Sequence, residues 1–113
     1  MYFKFEDIIA WQKAILLGKN VYDAFKNSKD YGFTNQIQRA AVSVSNNIAE
    51  GFERKSNNEF KQFLYISKGS CGEVRSMIYL AKEIGLINEE KSEEIVNQTE
   101  EITKMLISLI KTL

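Results

Sequence analysis

Glu50 is the residue around which acid–base chemistry could be built in this chain, with Ser43, Asn47 and Arg54 close to it at helical spacing. Read at 100° per residue, segment 37–56 divides into two faces. Ile37, Ala41, Val44, Ile48 and Phe52 form an apolar side, and Arg39, Ser43, Asn46, Asn47, Glu50 and Arg54 lie opposite. A merely solvated face favours Lys and Glu, whereas serines and adjacent asparagines oppose helix formation. These polar groups are therefore read as an interaction face, hydrogen-bonded to a neighbouring helix or to a partner. Catalysis would need a proton relay, and the chain has no histidine to supply one. A carboxylate in that position more readily anchors an arginine, here Arg54 or Arg39, through charge-assisted bonds. If those bonds are buried, Glu50→Gln should weaken folding or assembly.

A second pattern follows on the next predicted helix: Lys61, Tyr65, Lys68, Gly72, Arg75, Tyr79, Lys82. Its four basic residues recur every seventh position and so form a nearly straight stripe. Basic side chains neutralise phosphates and aromatics stack on bases, which would suit RNA. Tyr and Arg are equally enriched at subunit contacts. A third reading pairs the stripe with Glu89, Glu90, Glu93, Glu94, Glu100 and Glu101 of the last helix. Fifteen basic residues balance fifteen acidic ones, and the pI is near 6.3, which argues against a broad nucleic-acid footprint.

Composition narrows the classes further. A chain of 113 residues makes one domain, and 44% apolar residues suffice for a core. No apolar run nears the ~18 residues of a membrane span, and the first residues lack a signal-peptide pattern, so a cytoplasmic protein without membrane contact is expected. Cys71 stands alone on an apolar helix face and reads as a packing residue. The absence of histidine excludes Glu-x-x-His di-iron sites and His-dependent triads, and no metal or cofactor is expected. Proline is also absent, so nothing interrupts long helices by that route.

The spacing predicts four helices, near 6–27, 34–53, 57–84 and 88–112, in an all-α antiparallel up-down bundle. Thr34, Ser56 and Asn88 are the expected N-caps, Ser56 with Glu59 matching a capping box, and Gly85 is the expected C-terminal stop. Ile8, Trp11, Ile15, Gly18, Tyr22 and Phe25 give the first helix its predicted seam. Trp11, Ile15, Ile48, Phe63, Cys71, Ile78 and Leu106 should be buried. Ile9, Leu16, Leu17, Tyr65 and Tyr79 fall off the seams and are candidate self-association contacts.

Taken together, Phe5-Glu6-Asp7-Ile8, Trp11-Gln12-Lys13-Ala14, Tyr31-Gly32-Phe33-Thr34, Gln36 to Ser43, Asn47-Ile48-Ala49-Glu50-Gly51, Glu59-Phe60 and Phe63-Leu64-Tyr65 carry a resemblance. The chain resembles the four-helix-bundle family named after open reading frames in intervening sequences of bacterial 23S rRNA. It departs at Val44-Ser45-Asn46-Asn47, where the family usually has Ile-Pro-Ser-Asn. The resemblance implies a homopentameric barrel. It also implies kinship with the accessory protein of diversity-generating retroelements, a basic protein that binds a reverse transcriptase and nucleic acid. The expected function is a non-enzymatic, self-assembling interaction or scaffold module linked to RNA or a ribonucleoprotein. The alternatives are direct RNA binding by the ladder, with Arg39, Arg54 and Lys55 as further contacts, a reverse-transcriptase accessory role, or an enzyme built on Glu50.

Overall fold

The computed structural model describes residues 2–113. A 3-10 turn at Phe5–Asp7 precedes helices α1 (Ile9–Phe25), α2 (Tyr31–Phe52), α3 (Asn57–Glu83) and α4 (Glu89–Lys111). Short connectors over 26–30, 53–56 and 84–88 force each helix to fold back on the last. The helices sit at the corners of a square: α1 and α3 each pack against α2 and α4 but not against each other. The bundle measures 43 × 21 × 19 Å. None of its helices is long and apolar enough to cross a membrane.

Local chemistry explains most of the boundaries. Ser56 Oγ accepts the Glu59 backbone N–H at 3.2 Å, and Asn88 Oδ1 accepts that of Lys91 at 2.8 Å. Gly85, at φ 78°, ends α3 in a Schellman turn with Leu86 N–H bonded to Ala81 O at 2.8 Å. The cap of α2 differs from the expectation. Asp30, not Thr34, receives the Phe33 N–H at 3.1 Å, and Gly32 lies inside the first turn. Aspartate is the stronger cap, and a glycine is tolerated where the first N–H groups lack helical partners. Helix α2 then runs unbroken through Val44-Ser45-Asn46-Asn47.

The core contains Leu17, Val21 and Phe25 of α1, Ile37, Val44 and Ile48 of α2, Leu64, Cys71 and Ile78 of α3, and Ile95, Ile102 and Leu106 of α4. Of the residues expected to be buried on α3 and α4, Cys71, Ile78 and Leu106 are buried and Phe63 is half-buried. The expected seam of α1 does not hold. Ala10, Ala14, Leu17, Val21 and Phe25 face inward, while Ile15 is 45% exposed and Tyr22 is also exposed. Both stripes share a three-and-four spacing, but the inner one is rich in alanine, which lets α1 sit close to α2 and α4. Leu17 is therefore core rather than a contact residue, and Trp11 is half-buried, edge-on to Phe5 at 5.2 Å.

Helices α2 and α3 approach very closely where α2 turns into α3. A Cβ on Gly51 would lie 2.6 Å from Phe63 Cβ and 3.0 Å from Phe60 Cδ1. Deeper in, Ser67 Oγ donates to Val44 O at 2.7 Å, so a small polar residue also sits where these helices meet. Gly51→Ala gains helix propensity but forces the α3 backbone away. Overpacking of this kind costs about 1–3 kcal/mol, so urea denaturation should show a net loss of stability. A raised midpoint would show that the crossing relaxes freely.

Candidate functional site

The polar face of α2 divides into an inner and an outer part. Ser43 Oγ lies 2.8 Å from Ser70 Oγ, and Asn47 Nδ2 donates to both Ser43 O and Ser43 Oγ at 2.8 Å. These half-buried groups clasp α2 to α3, and the asparagine satisfies a helical carbonyl four residues back. On the outer part, Arg39 and Asn46 have no hydrogen-bond partner among the described residues. Arg39 borders two shallow depressions, one reaching Gln36 and Glu73 and the other Tyr22 and Val42.

Glu50 bonds Arg54 at 2.9 Å, with both side chains about half exposed. The Arg54 guanidinium also lies 4.8 Å from the Phe63 ring centre. Glu53 is a second carboxylate three residues from Glu50, a spacing visible in the sequence. It is exposed at the end of α2, outside any cleft. The burial that would make Glu50 costly to neutralise is thus not present in the single chain. Exposed i,i+4 pairs contribute under about 1 kcal/mol, so Glu50→Gln should shift the denaturation midpoint little. A loss of several times that size would reveal a buried partner elsewhere.

The basic ladder runs along the shoulder of α3 that faces α4. Lys82 meets Glu89 at 3.3 Å, yet no other α4 carboxylate pairs with the ladder among the described residues. Glu101 pairs with Lys13 of α1 at 3.6 Å, and Glu94 takes Asn20 at 2.6 Å and Lys91 at 3.5 Å. Lys61, Lys68 and Arg75 have no ion-pair partner among the described residues, so pairing across the bundle engages one rung only. Tyr65 and Tyr79 are exposed between them.

Cys71 is fully buried between α3 and α4. Burial pushes its thiol from 9.0 up to about 11, against smaller opposing effects of the Thr103 hydrogen bond and the Arg75 charge. Between those pH values the unfolded chain ionises this thiol and the folded chain does not. Wild type should therefore lose stability relative to Cys71→Ala as pH rises from about 9 to about 11. A constant difference across that window would mean that the thiol titrates normally.

Sequence reasoning missed one surface. Ile66, Leu80 and Ile84 are exposed on the outer face of α3, on the side towards α2. The signal was the fourteen-residue interval from Ile66 to Leu80, two heptads, hidden by the stronger core seam beside it. Among the described residues no cluster of three or more metal-ligating side chains occurs.

A helical square of this kind, with its polar clasp between α2 and α3, places the chain among small four-helix-bundle proteins. The profile of the 23S rRNA-intervening sequence proteins matches residues 6–108, and the chain belongs to that family. Among solved structures it is similar to a protein of unknown function from the S23 ribosomal protein family of Bacteroides thetaiotaomicron VPI-5482. That likeness has a TM-score of 0.85 at 27% identity, covering 90% of this chain and 98% of the other. No curated protein matches the sequence.

Proposed function

We propose that this chain is a non-enzymatic interaction module that assembles with copies of itself in the cytoplasm, in the service of RNA or a ribonucleoprotein. The observation that supports it is the exposure of aliphatic side chains on helices whose core is already filled. Ile9, Ile15 and Leu16 on α1 and Ile66, Leu80 and Ile84 on α3 are all between about two-fifths and three-fifths exposed. Single exposed leucines are ordinary, but rows of them on two helices point to a further buried surface. The family resemblance favours five copies in a barrel, and the family's name supplies the link to RNA. Light scattering at micromolar concentration should give a mass several times the 13.0 kDa of one chain. A mass near 13.0 kDa would remove the reading.

Direct RNA binding by the ladder is the second reading, favoured by the lack of an ion-pair partner for Lys61, Lys68 and Arg75 among the described residues. Affinity for a structured RNA should then fall with salt, and replacing one of these cations by glutamine should reduce the salt slope by about one. Equal binding by wild type and the Lys61, Lys68, Arg75 triple variant would assign the contact to another surface.

A further inference from the structure

We infer that self-association, if it occurs as proposed above, is head-to-tail: the outer ridge of α1 in one copy seats on the outer face of α3 in the next. The receiving face has a floor and two walls. Gly69 and Gly72 form the floor, and a Cβ on either would meet nothing within 4 Å. Ile66 and Leu80 make one wall, and Tyr65 and Tyr79 the other, each pair fourteen residues apart with the glycines between its members. A glycine inside a helix lowers helix stability, and the chain's own packing requires neither of these two. Close approach of a second helix gives them a role, since small residues let two backbones near each other.

The occupant follows from shape and charge. Ile9 and Leu16 stand one heptad apart on α1, where an aliphatic ridge complements a small-residue floor. Lys19, beside Leu16, has no ion-pair partner among the described residues. Glu73 lies midway between Ile66 and Leu80, exposed and, among the described residues, held only by Gln36 at 3.3 Å. Seating Leu16 over the glycine floor brings these opposite charges to the same interface, which fixes register.

The bundle's geometry then dictates the kind of assembly. Because α1 and α3 occupy diagonal corners, their outer faces point away from each other. Twofold packing would need two different interfaces to cover both, whereas one heterologous contact covers both and repeats into a ring or a filament.

Leu16→Lys and Leu80→Lys test this, because both positions are exposed and neither change touches the core (54% and 53%). With helical content checked by circular dichroism, each variant alone should fall to the mass of one chain. Mixed in equal amounts they should form a two-chain species and stop. The intact α3 of the first variant meets the intact α1 of the second, while the outer ends of the pair are blocked. The proposal is overturned if either variant keeps the wild-type mass, or if the mixture stays monomeric. Loss of assembly in Leu80→Lys alone would indicate twofold α3–α3 packing instead. These failures leave self-association standing, whereas a monomeric wild type would remove both readings.

Discussion

Helices α2 and α3 approach so closely at Gly51 that no side chain fits between the end of one and the start of the other. Most of the bundle's other geometry is referred to that crossing. It directs the 53–56 connector, brings Arg54 over the Phe63 ring, and lays Ser43 against Ser70 two turns further along. The Ser67–Val44 bond sits at the same interface, deep in the core. Hydrogen-bonded polar groups in a packed seam specify register more than they add stability, because any slip leaves a buried hydroxyl unsatisfied. Ser43, its hydroxyl held by Asn47, therefore belongs to the means by which the two helices find one alignment. That explains why Ser43 and Asn47 are present although they weaken the helix that carries them.

Once α2 and α3 are fixed, the outer faces of the bundle have set positions. Of the α4 carboxylates, Glu101 pairs with Lys13, Glu94 takes Asn20 and Lys91, and Glu89 alone reaches the ladder, at Lys82. These exposed pairs give little stability individually. Their larger consequence is what they leave undone, since three of the four cations of the α3 ladder have no ion-pair partner among the described residues. A chain with no net charge thus still carries a local positive stripe. Net charge describes long-range steering, and a stripe within one Debye length of its ligand acts on shorter terms.

The elements most legible in the sequence were those with large core residues and strong caps. Phe60, Leu64, Cys71, Val74 and Ile78 leave one phase possible for α3, and Ser56 and Gly85 mark its ends with little competition. Helix α1 had two apolar stripes of equal period. The more hydrophobic one, through Ile15 and Tyr22, lies outside, because helix packing selects for fit as well as hydrophobicity and the alanine-rich stripe allows closer approach. The start of α2 was misplaced for a related reason: Gly32 looks like a turn, yet Asp30 caps the helix before it. The ladder was legible as a pattern, but whether its charges were free depended on where the acids of α4 pointed. That is set by rotation of α4 within the square, and local spacing does not report it.

Self-assembly and the ladder reinforce each other on this reading. Three or four cations release only a few counterions per chain, so a single copy would bind RNA weakly at physiological salt. Repetition changes that arithmetic: once one stripe is engaged, neighbouring stripes meet the same strand at high effective concentration. A neutral subunit can then bind an extended polyanion while remaining indifferent to short ones, because affinity depends on how many copies are in register. The strongly basic alternative, a subunit that binds alone, would lack this length discrimination and would associate with nucleic acid before assembling. On the proposed reading, zero net charge per chain together with a ladder of cations on one shoulder of α3 would make recognition conditional on assembly.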